Sequence, residues 1–107
     1  MPLRIAWDTL RMIEIRETDE FRHWFERLRD RKVRFRVGVR IRRLALGNFG
    51  DVRPLGDGVS ELQITYGPGY RVYLTQRGDT LVILLAGGDK SSQRADIQRA
   101  KALARAV

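Results

Sequence analysis

The chain of 107 residues is 43% hydrophobic and 32% charged, which is the composition of one globular domain. Lysine and arginine number 21 against 13 acidic residues, and the formal net charge of +8 favours polyanionic partners, nucleic acid first among them. The sequence has no cysteine and one histidine, so disulfides, thiolate or multi-histidine metal sites and paired-histidine ribonuclease chemistry are excluded.

The N-terminal part of the chain is predicted to form a strand and then a helix. Residues 1–11 show little periodicity and are interpreted as an N-terminal extension, either disordered or a misassigned start, ahead of one domain over 12–107. Alternating apolar residues predict a strand over Met12–Glu17. A helix is predicted from the cap residue Thr18 to about Asp30, because four apolar residues recur at helical spacing: Phe21, Trp24, Phe25 and Leu28.

The next segment is strongly basic and supports two structural interpretations. The strict alternation from Val33 to Ile41 predicts a strand by period alone. A second set of residues lies on one helical stripe: Val33, Val37, Ile41 and Leu44. Glycine and asparagine in 47–51 end the element in either case. Residues 31–43 contain no acidic residue and seven basic ones: Arg31, Lys32, Arg34, Arg36, Arg40, Arg42 and Arg43. This cluster predicts contact with a polyanion or an acidic protein.

The segment after this is predicted to contain a β-hairpin. A short extended stretch, 52–55, contains Pro54 and is therefore not a central strand. Residues 61–66 alternate as a strand with one open face, and Gly67-Pro68-Gly69 is a turn sequence. On the second strand Arg71 and Tyr73 share a face, which Glu61 and Gln63 reach if a tight turn sets the register. This polar face is the candidate functional site.

The C-terminal part is predicted to form a buried strand and a helix. Residues 81–86 are apolar on both faces, as in the central strand of a covered sheet. Asp89 or Ser91 is a candidate cap for the last helix. The apolar residues of this helix form its packing face: Ile97, Ala100, Leu103, Ala104 and Val107.

The sequence predicts neither an ATPase nor a membrane protein. Gly88-Asp89-Lys90-Ser91 resembles the end of a phosphate-binding loop, but Asp89 separates glycine from lysine and the upstream glycine is missing. A glycine-rich turn into a helix can still hold a phosphate through backbone N–H groups, with Lys90 adding a charge. The sequence predicts no cofactor and no metal, and the lack of an 18-residue apolar run or a leader predicts a cytoplasmic protein.

Several separated motifs, in order, resemble the RelE/ParE superfamily of toxins and in particular its HigB-like branch of addiction module killer proteins. The resemblance extends from Met12 to about Ala104. It is carried by five pieces: Arg42-Arg43-Leu44, 46–52, 59–62, Gly67-Pro68-Gly69-Tyr70-Arg71-Val72-Tyr73, and Gly87-Gly88-Asp89-Lys90-Ser91 with Asp96-Ile97. The resemblance implies an α+β fold with an N-terminal strand, a two-helix hairpin, a largely antiparallel sheet of three to four further strands and a C-terminal helix. It also favours a helix over 32–46.

The resemblance implies the toxin of a type II toxin–antitoxin system that cleaves mRNA, often on the ribosome. It implies a cognate antitoxin partner, often a helix-turn-helix repressor, and a toxin–antitoxin hetero-oligomer. Arg71 matches the hairpin arginine that contacts the scissile phosphate in the family, and Lys90 lies near a further basic position. Gln63 stands where proteins of this branch usually have a basic residue. The last helix also lacks the tyrosine or histidine that some relatives use there.

The predicted chemistry is attack of an RNA 2′-hydroxyl on the adjacent phosphodiester, stabilised by Arg71 and Lys90. Tyr73 is a candidate for base stacking or proton donation, and Glu61 is the candidate base. The candidate RNA-binding residues outside this group are Arg53, Gln63, Arg77, Arg40 and Arg43. Two alternatives remain open: a ParE-like gyrase poison without nuclease activity, and a non-toxic nucleic-acid-binding protein that retains the fold.

Overall fold

The computed structural model describes residues 12–107, so the predicted extension over 1–11 lies outside the described residues. Among the helices described over 12–107, none could span a lipid bilayer. The strands are β1 (Glu14–Glu17), β2 (Val52–Gly56), β3 (Val59–Ile64), β4 (Tyr70–Arg77) and β5 (Leu81–Asp89). The helices are α1 (Asp19–Arg27), α2 (Arg31–Ala45), a 3₁₀ turn (Lys90–Ser92) and α3 (Gln93–Ala106).

The five strands form one mixed sheet in the order β1-β5-β4-β3-β2. Strands β2 to β5 are consecutive antiparallel neighbours, and β1 pairs with β5 in parallel because α1 and α2 intervene before the hairpins. The edge position of β2 suits Pro54, which has no N–H to donate to a second neighbour. The predicted α+β class, with a strand, two helices, a largely antiparallel sheet and a closing helix, is confirmed.

Helix α1 begins at the predicted cap. The Thr18 hydroxyl accepts a hydrogen bond from the Phe21 backbone N–H at 3.0 Å, and Asp19 and Glu20 occupy the first turn, where they oppose the helix dipole. Phe21 is buried, and its ring lies 5.7 Å from that of Trp24. The apolar stripe of α1 therefore packs on the sheet as its spacing predicts.

Helix α2 confirms the helix that the resemblance favours over 32–46, and the strand that alternation alone predicts does not form. The Asp30 side chain caps the helix by accepting from the Lys32 N–H at 2.8 Å. The helical stripe is the buried one, since Val33, Val37 and Leu44 are all less than 2% exposed. Phe35, which a strand would have buried with the valines, is 72% exposed on the opposite side of the helix.

The two faces of the sheet are covered by different helices. On one face α1 and α2 pack against a core that includes Leu62, Val72 and Leu84. On the other face α3 packs through Ala100 and Ala104. Strand β5 is buried from both sides, as its apolar run predicts, although the central strand of the sheet is β4.

Two successive glycines in β5 allow both helical layers to approach the sheet closely. A Cβ atom on Gly87 would lie 2.2 Å from the Trp24 ring of α1. A Cβ atom on Gly88 would lie 1.9 Å from the Asp96 carboxylate of α3. A larger residue at Gly87 would displace the Trp24 side chain of α1, and one at Gly88 would displace the Asp96 side chain of α3, so each glycine allows the close approach of one helix.

Candidate functional site

The predicted hairpin register is present and brings the polar residues together. Glu61 on β3 lies opposite Tyr73 on β4, and Gln63 lies opposite Arg71. Arg71 is in turn opposite Gly88 on β5. The tight turn has positive φ at Gly67 and Gly69, which a residue with a side chain adopts only with strain. These residues and Lys90 form one end of the sheet, called here the Arg71 corner.

Glu61 is the centre of this group, and its burial corrects the prediction of an open face. Its side chain is completely buried, although the alternation of β3 predicted exposure. One carboxylate oxygen accepts from the Gln93 amide at 2.7 Å and lies 3.1 Å from the Arg71 Nε atom. The other accepts from the Gln63 amide at 3.1 Å and lies 3.4 Å from an Arg53 nitrogen. A carboxylate with four partners and no solvent access does not fit the predicted role of general base.

Arg71 is held by Glu61 but keeps unused hydrogen-bonding capacity. Its side chain is 14% exposed. The contact with Glu61 is an ion pair rather than a hydrogen bond, because neither Nε nor the buried Nη1 has a hydrogen-bond partner within residues 12–107. Nη1 lies close to the hairpin turn, 3.8 Å from the position of a Cβ atom on Gly69. Buried guanidinium donors are normally paired, so these two atoms are unsatisfied. Both are closed to solvent, and an anion reaches this guanidinium only through the 14% of the side chain that is exposed.

Lys90 lies at the same corner, at the start of the 3₁₀ turn that follows β5. Its backbone N–H donates to the Gly69 carbonyl at 3.1 Å, and its side chain is exposed. Gly69 is thus near the Arg71 guanidinium and bonded to the backbone of Lys90, and the convergence of the two side-chain cations stays a prediction. The structure gives no contact between the two side chains, and each is positioned separately by the turn.

The backbone next to Lys90 does not form the predicted anion-binding turn. Gly87 and Gly88 belong to β5 and are paired with β4. The Asp89 carboxylate already accepts from the Ser91 N–H at 2.8 Å, so a protein anion occupies the start of the 3₁₀ turn. The hydrogen bond from the Ser91 hydroxyl lowers the pKa of Asp89, and the charge of Arg71 adds to this effect. Any phosphate at this corner must therefore be held by side chains.

Tyr73 is also buried, which contradicts its predicted role as a base-stacking residue. Its side chain has no solvent exposure, and its hydroxyl has no hydrogen-bond partner within the described residues. Burial raises the pKa of the phenol, and the Glu61 carboxylate raises it further. Tyr73 therefore stays protonated, and in this conformation neither its ring nor its hydroxyl reaches a substrate.

The Tyr73 hydroxyl gives a stability prediction. Since this group forms no hydrogen bond, Tyr73→Phe is expected to leave the free energy of unfolding unchanged or to raise it by up to about 1 kcal/mol. The matched control is Thr75→Val, because the buried Thr75 hydroxyl donates to the Gly58 carbonyl at 2.8 Å and its loss costs about 1 kcal/mol. Urea denaturation measures both. A larger loss for Tyr73→Phe than for Thr75→Val would show that the phenol has a partner.

The predicted RNA-binding residues fall into three places. Arg53 is 61% exposed beside Glu61, and Gln63 is half-buried against the same carboxylate, so both belong to the Arg71 corner. Arg77 does not, since it lies at the other end of β4 and donates to the Ala104 carbonyl at 2.9 Å. Arg40 and Arg43 lie on α2, across the sheet, and line a groove there. Arg40 donates to the Gln63 carbonyl, and burial lowers its pKa.

Gln93 is the residue of this site that the sequence did not indicate. It lies at the start of α3 and reaches Glu61 across 32 residues of chain. A single glutamine at a helix start carries no recognisable signal, and its role follows only from the packing of α3 on the sheet. Within residues 12–107 no group of three or more histidine or acidic side chains is placed to hold a metal ion.

The comparisons with known proteins give one relationship across most of the chain. No family model matches the sequence. The chain is 48% identical to an uncharacterized protein of Haemophilus influenzae over 92 residues, which are 86% of this chain and 93% of the relative. Identity at this level over nearly the whole of both chains means that they share the fold described above.

Proposed function

We propose that this chain, which belongs to the family of the Haemophilus influenzae protein, is the toxin of a type II toxin–antitoxin pair in the RelE/ParE superfamily, HigB-like branch. It acts in the cytoplasm as an mRNA endoribonuclease that depends on the ribosome, and a cognate antitoxin of helix-turn-helix type inhibits it in a hetero-oligomer. The observation that carries the proposal is the position of Arg71, which is partly exposed, ion-paired with Glu61 and, like the backbone of Lys90, next to Gly69.

The proposed reaction is attack of an RNA 2′-hydroxyl on the adjacent phosphorus. The new bond from the 2′-oxygen replaces the bond to the 5′-oxygen, giving a 2′,3′-cyclic phosphate and a 5′-hydroxyl. Negative charge accumulates on the phosphate oxygens in the transition state, and Arg71 and Lys90 stabilise it. Glu61 orients Arg71 through the ion pair at 3.1 Å and takes no proton. Glu61 is buried and the Asp89 carboxylate is bonded to Ser91, so the ribosome supplies the alignment. Solvent accepts the proton of the 2′-hydroxyl and gives a proton to the departing 5′-oxygen.

The burial of Glu61 and Tyr73 favours a second candidate, which is a toxin or nucleic-acid-binding protein without nuclease chemistry. Neither side chain has solvent exposure, so neither of the two predicted proton-transfer groups reaches a substrate in this conformation. Three carboxylates, of Glu61, Asp89 and Asp96, also act on the corner and offset its cations. A ParE-like gyrase poison and a non-toxic binder both agree with these two features.

The functions are separated by expressing the chain in bacteria without its neighbouring gene. An endoribonuclease arrests growth, and primer extension on translated mRNA shows new 5′ ends within minutes. A gyrase poison induces DNA-damage signalling while mRNA stays intact. Unimpaired growth with full expression of the protein would leave only the non-toxic binder.

A further inference from the structure

A groove runs along α2 on the face of the sheet opposite the Arg71 corner. It has a volume of ≈ 600 Å³ and lies between α2 and the end of β3. This α2 groove is lined by basic residues around an apolar floor, and its lining contains no acidic side chain: Arg31, Arg36, Arg40 and Arg43 with Val39 and Ile64. Ile64 follows Gln63 on β3, so the groove and the Arg71 corner meet at the same end of the sheet from its two sides.

Phe35 projects from α2 between the α2 groove and a second hollow. It lines both, as does Arg31, and the second hollow of ≈ 430 Å³ extends to Phe25 and Arg34. A phenylalanine that is 72% exposed in the middle of a helix contributes nothing to the core. An exposed aromatic ring surrounded by cations is the arrangement by which proteins stack single-stranded bases while holding the adjoining phosphates.

Other cations of the groove are already held in place. The Arg36 guanidinium lies 4.5 Å from the centre of the Tyr66 ring, which orients its plane over an aromatic surface. Arg40 is fixed by donating to the carbonyls of Gln63 and Phe49. A ligand therefore meets preorganised donors and loses less side-chain entropy on binding.

We propose that the α2 groove binds single-stranded RNA, with a base stacked on Phe35 and phosphates held by Arg36 and Arg43. This deepens the proposed function, since it assigns the groove to substrate strand that lies outside the cleavage position, but binding here does not require cleavage. The charge of the lining requires an anionic ligand, and a flat ring open on its surface suits a base better than the deep apolar pocket that an anchoring peptide side chain fills.

The test measures binding of a fluorescein-labelled 12-nucleotide single-stranded RNA to the purified full chain by anisotropy at low salt. Phe35→Ala is expected to weaken binding roughly 5- to 160-fold, the range for loss of one stacked base. The matched control is Leu46→Ala, because Leu46 is 62% exposed just after α2 and does not line the groove. Leu46→Ala is expected to bind as tightly as the wild type.

A second pair of variants tests the phosphate contact. Arg43 lines the groove and the exposed Arg42 does not, although they are neighbours on α2 with equal charge. Arg43→Ala is expected to reduce the slope of log K against log salt concentration by about 0.7, and Arg42→Ala to leave it nearly unchanged. Equal slopes for the two variants would mean that the groove holds no phosphate.

The proposal is overturned if Phe35→Ala binds RNA as the wild type does. It is also overturned if polyglutamate binds in a Phe35-dependent manner while RNA does not, since the groove is then a docking site for acidic protein. Its failure is separable from that of the proposed function. If the chain binds RNA through Phe35 but does not cleave mRNA, the groove proposal stands and the nuclease proposal fails. If the chain cleaves mRNA through Arg71 but binds RNA without Phe35, the nuclease proposal stands and the groove proposal fails.

Discussion

Replacing Glu61 by alanine is expected to lower the free energy of unfolding by about 3–5 kcal/mol, the cost of removing one partner of a buried ion pair. The carboxylate is completely buried and Arg71 is 14% exposed, so the variant leaves a cation in the protein with its nearest counter-ion removed. The amides of Gln63 and Gln93 lose their acceptor in the same step. Denaturant unfolding followed by circular dichroism measures the loss.

Two control variants separate the charge of Glu61 from its shape and from general effects of charge. Glu61→Gln keeps the volume and one acceptor oxygen, so we expect a smaller loss than for alanine. Glu26→Ala removes an exposed carboxylate from α1 and is expected to change the free energy of unfolding by at most about 0.5 kcal/mol. If Glu61→Ala unfolded as the wild type does, the carboxylate would not be the centre of the corner.

Arg71→Lys is expected to lower the rate of mRNA cleavage by about 10²–10³, the usual effect of losing one donor to a transition-state oxyanion. Lysine keeps the charge near Glu61, and the fold is expected to survive. It lacks the planar fork, so it cannot hold the carboxylate and present a second donor toward Gly69 at the same time. Single-turnover cleavage on ribosomes carrying a defined mRNA measures the rate.

Arg77→Lys is the matched control for this variant. Arg77 lies on the same strand and the same face as Arg71, but its guanidinium binds the Ala104 carbonyl at the end of α3. Its replacement by lysine is expected to leave the cleavage rate within about threefold of the wild type, since it touches no part of the Arg71 corner. Equal losses for Arg71→Lys and Arg77→Lys would point to a general effect of arginine on the sheet.

The local features of the hairpin were predictable because each depends on neighbouring residues. Alternation defines the faces of β3 and β4, and the turn at Gly67 and Gly69 restricts the register to one that opposes Glu61 to Tyr73. Helix α1 could also be predicted from the sequence, since Thr18 marks its start and the apolar stripe that follows marks its buried side.

Helix α2 was correctly predicted from the family resemblance, whereas periodicity alone favoured a strand because its valines satisfy both periods. The observation that decides the case is Asp30, a capping residue just before the segment, whose side chain accepts from the Lys32 N–H. A helix also leaves Phe35 on the solvent side, where it does not help the core. A strand signal based on alternating valine and arginine therefore needs to be weighed against the caps at its ends.

The closure of the site was not predictable from the sequence. Whether Glu61 and Tyr73 are open or buried depends on where α3 lies, and that position is set by the close approach of Asp96 to Gly88 and by the Gln93 contact. These contacts join residues far apart in the chain and belong to tertiary packing. The sequence therefore predicted which residues meet, but not that two of them are closed to solvent.

The most direct test of the account is primer extension on translated mRNA after induction of four proteins at equal levels: the wild type, Arg71→Lys, Lys90→Ala and Arg77→Lys. If the side chains of Arg71 and Lys90 hold the scissile phosphate, new 5′ ends appear with the wild type and Arg77→Lys, weaken with Lys90→Ala and disappear with Arg71→Lys. Equal cleavage by the wild type and Arg71→Lys would contradict the assignment of the phosphate to the Arg71 corner.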